Sequence, residues 1–165
     1  MSRTLSNIVP TLISLVASLM LSSASATPLC YSNDPPPARF RVQGADVIDT
    51  RTGLVWQRCS IGQRWVDTLG CVGVIRQMSW DEARKLEKGK WRLPSRHELS
   101  TLVDSSCGSP AIDERAFPDM ELTKLWYWSG TVDGALMWYV AFGGGSQRQG
   151  SPRTWNAVRL VRGDR

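Results

Sequence analysis

The stretch Trp91-Arg92-Leu93-Pro94-Ser95-Arg96-His97-Glu98-Leu99 constrains this chain more than any other. Ser95 can accept a hydrogen bond from the Glu98 amide while the Glu98 carboxylate reaches back to the Ser95 amide, a reciprocal pair that marks the first turn of a helix. Pro94 disfavours helical geometry at Leu93, so Lys90 to Leu93 is expected to be extended. Leu99, Leu102 and Val103 then fall at helical spacing. The stretch reads as strand, corner and helix, with Trp91 and Leu93 as anchors. A second pair of the same kind, Ser79 with Glu82, opens a helix through Ala83, Leu86 and Glu87 that Gly89 ends. Two helices of about ten residues are therefore expected in mid-chain.

Around them the pattern is that of strands. Phe40 and Val42 alternate with Arg39, Arg41 and Gln43, and Val47-Ile48 and Leu54-Val55-Trp56 flank a polar turn ending in Gly53, a hairpin signal. Trp126-Tyr127-Trp128-Ser129 begins a β-rich half. Met137 to Phe142 is a strand with Trp138, Val140 and Phe142 on one side, Gly143-Gly144-Gly145 breaks it, and Asn156 to Arg162 is a last strand.

The N-terminus sets the compartment. Arg3 supplies a positive start, Ile8 to Leu21 an apolar run, and Ala24-Ser25-Ala26 a small-x-small site with cleavage expected after Ala26. The apolar run is only about 14 residues and contains Pro10, too short for a comfortable membrane span. Residues 1–26 are thus read as a signal peptide and 27–44, with Asp34-Pro35-Pro36-Pro37, as an extended arm. A single domain over 45–163 follows; the full 165 residues are enough for one domain with a real core. The localisation expected is secreted, periplasmic or cell-surface, with no integral span once the leader is removed.

The chain has four cysteines, all beyond the leader. An even number in an exported protein implies disulfides. Cys59 and Cys71 are close and flank a glycine-rich segment, so they are paired, leaving Cys30 with Cys107. A zinc site or redox pair lacks both a Cys-x-x-Cys and a second histidine.

In order along the chain, Asp49-x-x-Thr52-Gly53-Leu54-Val55-Trp56, the Cys59 to Cys71 loop, Trp80-Asp81-Glu82-Ala83 and Trp91-Arg92-Leu93-Pro94-Ser95 through Glu98-Leu99 make up a family pattern. Tyr127-Trp128-Ser129, Trp138-Tyr139-Val140-x-Phe142-x-Gly144 and Val158-Arg159-Leu160-Val161-Arg162-Gly163 continue it. The pattern resembles the C-terminal domain of the Legionella collagen-like protein, the Lcl C-terminal family, over about residues 45–163. The resemblance implies an α+β fold of the C-type-lectin and formylglycine-generating-enzyme kind, with two short helices packed on twisted antiparallel strands. It also implies a bacterial surface or secreted role. Its best-understood member is an adhesin domain that binds sulfated glycosaminoglycans as a trimer.

Two basic clusters suit an anionic partner: Arg84, Lys85, Lys88, Lys90, Arg92 and Arg96 within thirteen residues in mid-chain, and Arg148, Arg153, Arg159 and Arg162 near the C-terminus. The formal net charge of +5 agrees with such a partner without requiring it. Guanidinium forks hold sulfate or carboxylate groups. Aromatic faces pack on the apolar faces of sugars, so Trp128, Tyr139 or Trp155 would suit a glycan cleft, whereas Trp56, Trp80, Trp91 and Trp138 are read as core. The expected ligand-binding set is Arg148, Arg153, Arg159, Lys88, Lys90, Trp128, Tyr139 and Trp155. Trp155-Asn156-Ala157 lacks the carboxylate that a lectin-type calcium site requires, so no metal is expected, and no cofactor. The one histidine, His97, falls in the first turn of a capped helix, where exposure is usual, and Ser95 is better explained as the cap than as a nucleophile, so no catalytic residue is expected. These features describe an exported, non-catalytic module for an anionic glycan or envelope polysaccharide, possible as a homo-oligomer, with no nucleic-acid partner. The alternatives are an envelope or appendage subunit that binds proteins, and an oxygenase-like enzyme using free thiols.

Overall fold

The structure, a computed structural model, describes residues 39–107, 109–120 and 126–163. The expected signal peptide, most of the expected arm and Cys30 lie outside the described residues. Among the described residues, nine strands form three small antiparallel sheets. The first has the order β1 (Phe40–Gln43), β2 (Asp46–Asp49), β3 (Val55–Gln57), β9 (Val161–Arg162). The second is the hairpin of β4 (Gln63–Val66) and β5 (Gly70–Gly73). The third is a meander of β6 (Trp126–Asp133), β7 (Leu136–Ala141) and β8 (Gln147–Gly150). The hairpin read from residues 47–56 is the β2–β3 pair, with Val47 opposite Trp56. Phe40–Gln43, assigned to the arm, pairs with β2 as its alternation suggests.

Both helices start where the capping pairs put them and end early. In α2 (Arg96–Thr101) Ser95 Oγ accepts from the Glu98 amide at 3.1 Å, and Glu98 Oε2 accepts from the Ser95 amide at 2.7 Å. In α1 (Trp80–Arg84) Glu82 Oε2 accepts from both the amide and the hydroxyl of Ser79. After α1 the chain tightens into i→i+3 bonds and turns back at Gly89, whose φ of +62° is a left-handed conformation that glycine adopts without strain. The reversal lets Lys88 bridge Trp91 and brings Arg92 against Val161. So short a helix makes too few internal hydrogen bonds to stand alone and is held by tertiary packing.

The α+β, C-type-lectin-like expectation is therefore corrected: the chain is mostly β, and its helices, five and six residues long, build no layer. The capping signals specify where a helix begins. How far it runs is set by the neighbours that recapture the chain.

The last segment joins the parts. Only Val161–Arg162 belongs to a ladder, but from Asn156 onward the backbone is bonded to one element after another. Asn156 pairs with Met78, Ala157 with Tyr127 in parallel, and Val161 with Arg92. The Leu160 and Val158 carbonyls accept from Gln57 and Ile61. Its side chains divide between two cores. Ala157 and Val161 join Trp56, Leu99, Phe117, Tyr127 and Phe142. Val158 and Leu160 join Met78, Leu93 and Trp128. Leu93 is 1% exposed, the anchor it was expected to be, and Trp91 is half-buried.

The expected Cys59–Cys71 disulfide is present and ties β5 to the end of β3. Cys107 is also disulfide-bonded. Its expected partner, Cys30, is outside the described residues.

Candidate ligand-binding face

The third sheet gathers part of the expected ligand set. Register places Trp128 opposite Tyr139 and Tyr139 opposite Arg148, so these three form one row across β6, β7 and β8. The Tyr139 ring meets Trp126 and Trp128 edge-on, at 5.1 and 5.4 Å between centroids. Gly150 makes room for it: a Cβ there would stand 2.8 Å from the Tyr139 ring and hydroxyl. At the end of the row the Arg148 guanidinium lies 5.3 Å from the centre of the Trp126 ring. Arg148 is exposed, and among the described residues no carboxylate pairs with it or with Arg153.

Beyond β8 the chain makes a tight turn, with the Thr154 amide donating to the Ser151 carbonyl and the Arg153 amide to Ser151 Oγ. It presents Arg153 and Trp155 to solvent, the latter 67% exposed. Trp128 itself is fully buried, its Nε1 donating to the Met78 carbonyl at 2.8 Å, so it supports the row from below and offers no stacking face. Lys88 and Lys90 are exposed on the Gly89 turn, and no described contact joins them to Arg148 or Arg153.

Arg159 is a different case. It is 0% exposed, and its guanidinium serves the protein's own acceptors. Nη1 donates to the Gln57 carbonyl at 2.7 Å and to that of Arg58; Nη2 donates to Asp119 Oδ1 and, at 3.1 Å, to Ser60 Oγ. Asp119 Oδ2 accepts from the Ser60 amide at 2.6 Å, and Ser60 Oγ lies 2.9 Å from the Tyr127 hydroxyl. Only Nε lacks an acceptor among the described residues. Burial alone would push the Asp119 carboxyl up, but the Arg159 charge with the Ser60 hydrogen bonds outweighs it and holds the group below the usual carboxylate value. Burial pushes the Tyr127 phenol above its ordinary value. Arg159 is thus a buried cross-brace between β3 and the last segment, and its placement in the ligand-binding set is corrected. A buried charge needs this much pairing, and an arginine set among Val158, Leu160 and Val161 was the signal for it.

A feature the sequence left unread is that five half-buried indoles each carry an arginine. Arg58 lies over Trp65, Arg84 over Trp80, Arg96 over Trp138, Arg148 over Trp126 and Arg162 over Trp91, with 3.4 to 5.4 Å from guanidinium carbon to ring centre. Such contacts hold a guanidinium flat and in place. Arg84 and Arg162 also pair with Glu87 and Asp46. Arg96 and Arg148 have no such partner among the described residues. Trp126 was not in the expected set; its place one register step from Tyr139 could have suggested it.

No three metal-ligating side chains cluster among the described residues. No described helix is long and apolar enough to cross a membrane. His97 is exposed and Ser95 is committed to its cap. No curated protein and no solved structure matches the chain. Comparison with protein families matches residues 45–162 to the Lcl C-terminal domain. With most of its length in that match, the chain belongs to the Lcl C-terminal domain family.

Proposed function

We propose that this protein is an exported, non-catalytic binding module that holds an anionic polysaccharide on the third sheet and the loop beyond β8. One observation carries the reading: Arg148, exposed and free of any described carboxylate, is held over Trp126 beside Tyr139, with Arg153 and Trp155 exposed on the next turn. A guanidinium supported in this way loses little side-chain freedom on meeting a sulfate or carboxylate and can offer it two parallel N–H groups. The tight turn beyond β8 keeps the second cation and the exposed indole within seven residues of Arg148. Lys88 and Lys90 on their separate turn belong to the same reading only as a second, outlying contact for a long polymer.

The test is retention of the full chain on immobilised heparin in a rising salt gradient. Retention that falls steeply with salt and drops for Arg148→Ala with Arg153→Ala supports the reading, because exposed charge contacts are screened. Flow-through at low ionic strength overturns it. Retention of envelope proteins with indifference to glycans would favour the protein-binding alternative.

A further inference from the structure

The hairpin of β4 and β5 has no part in the third sheet. It is a two-stranded sheet by itself, so each strand keeps one edge unpaired among the described residues. Register sets its two faces, with Trp65 opposite Cys71 on one and Arg64 opposite Val72 on the other. The first face turns to the body of the domain, because Cys71 is bonded to Cys59 and Arg58 lies over the Trp65 ring. On the second face Val66 and Val72 are half-buried and join neither core. Leu69 in the turn and Val74 just past β5 are 73% and 83% exposed. On the inner side, against Gln63 and Cys71, a cavity of about 280 Å³ opens with Leu69, Ile75 and Pro118 as its apolar walls. A free edge beside bare apolar side chains is what a fold ordinarily guards against, and it marks a place of contact.

We infer that this hairpin is a docking site for an extended, acidic segment of a partner polypeptide, which adds to it as a third strand. A strand added to an edge sends its side chains alternately to the two faces. On the outer face they meet Arg64, exposed and without a carboxylate partner among the described residues, beside Val66 and Val72. On the inner face one of them meets the cavity, which is smaller than the about 300–1,000 Å³ of ordinary small-molecule sites and has room for one apolar side chain. Charge fixes the sign of the partner. The carboxylate of the turn, Asp67, is taken by Trp65 Nε1 at 2.7 Å, and Arg76 at the base of the hairpin stands 3.9 Å from Glu82 with most of its side chain in water. Two other occupants fit less well. A second copy would bring one Arg64 against another, and strands of four residues, about 13 Å long, cannot supply the roughly 800 Å² per partner of a stable interface. A lipid surface could take Leu69 but has nothing to place in the cavity.

The experiment pans a phage library of random linear dodecapeptides on the full chain, on Arg64→Glu and on Leu69→Asp, and measures synthetic copies of the selected peptides by fluorescence anisotropy. The wild-type chain should select peptides in which an acidic residue neighbours a large apolar one, the pattern that alternation between the two faces requires. Arg64→Glu should bind such a peptide about tenfold more weakly and should prefer its counterpart with lysine in place of the acid, since like charges set opposite one another repel. Leu69→Asp should lose affinity to a similar extent, and both variants, altered at exposed positions, should melt with the wild type. No enrichment, enrichment of peptides without the acid, or peptides that bind both variants as tightly as the wild type overturns the inference. A dimer that Leu69→Asp dissociates in analytical ultracentrifugation would give the hairpin to a second copy and overturn it. Binding to phosphatidylglycerol vesicles that Leu69→Asp abolishes would give it to a lipid surface, with the same consequence. None of these outcomes touches the reading of the third sheet.

Discussion

Arg159 and Arg148 look alike in the sequence, each a basic residue in the C-terminal cluster, and the fold uses them in opposite ways. Arg159 is fully buried and bonded to two backbone carbonyls, a serine and a carboxylate. Arg148 is on the surface with an indole at its back and water in front. A buried cation is tolerated only when its surroundings satisfy it, and that leaves nothing for a ligand. An exposed cation adds little to stability and keeps its hydrogen-bonding capacity for something else. Charge that holds the fold and charge that can act outside it are thus segregated in this domain, and the segregation can be attacked from either side.

The largest effect should come from removing the buried charge. Arg159→Ala leaves Asp119 buried without its cation and takes a donor from Ser60 and two carbonyls, a loss of about 3–5 kcal/mol in denaturant unfolding. Arg159→Met fills the volume but still strands the carboxylate, so it should rescue little. Pairing it with Asp119→Leu should recover part of the loss, since removing both charges removes the orphan. If Arg159→Ala unfolds like the wild type, the cross-brace is not what holds β3 to the last segment.

Opening the Cys59–Cys71 bridge comes next. The enclosed loop is short, with a sequence separation of 12. In the chain-entropy model a bridge of this size contributes on the order of 3 kcal/mol. Replacing both cysteines by serine should lower the unfolding midpoint accordingly, measured under oxidising conditions so that the Cys107 bridge stays closed.

Acid should act on the same side of the comparison. Burial would raise the Asp119, Glu98 and Asp49 carboxyls, but their arginine partners Arg159, Arg92 and Arg39, with hydrogen bonds, bring each below its ordinary value. The unfolded chain therefore takes up protons before the folded one. The stability these groups contribute is complete above the unfolded carboxylate pKa, about 4, and is lost as pH falls through it toward the folded values. The melting temperature should hold from neutrality to about pH 5 and then fall. In Asp119→Asn the fall should be shallower, and in Arg148→Ala it should keep the wild-type shape.

These predictions also separate what the residues announced from what they could not. Both capping pairs were legible because they are local: a window of four residues specifies the bonds that Ser95 and Glu98 make. The β2–β3 hairpin and the short disulfide were legible for the same reason. Helix length was not, because α1 ends where Arg92 must return to meet Val161, a contact across about seventy residues that no local window carries. The expected lectin-like layering failed at that point. Among the site residues, Tyr139 and Arg148 could be placed together only once the register of three strands was known. Trp128 and Arg159 share residue types with the surface set, and burial alone tells them apart.

A smaller effect isolates the local signal. Ser95→Ala removes the hydroxyl that accepts from the Glu98 amide, an effect of about 1 kcal/mol on unfolding. Glu98 would keep its paired contacts to Arg92, at 2.8 Å from each oxygen, so the helix start should survive with a modest loss.

The smallest effect on stability should fall at Arg148, and it is the most informative. Its contact with Trp126 is an exposed cation–aromatic one, worth about 0.5–1 kcal/mol at most. Arg148→Ala should therefore unfold within that margin of the wild type while losing most of its retention on a sulfated matrix. Arg148→Lys separates charge from shape: it keeps the positive charge but loses the planar fork that lies on the indole and grips an anion with two bonds. If lysine restores both retention and its salt sensitivity in full, the face attracts its ligand by charge alone and the Trp126 support has no part in recognition. If retention stays well below wild type at equal charge, the stacked geometry is what distinguishes this arginine from an exposed cation with no ring beneath it, and from the buried one that shares its chemistry.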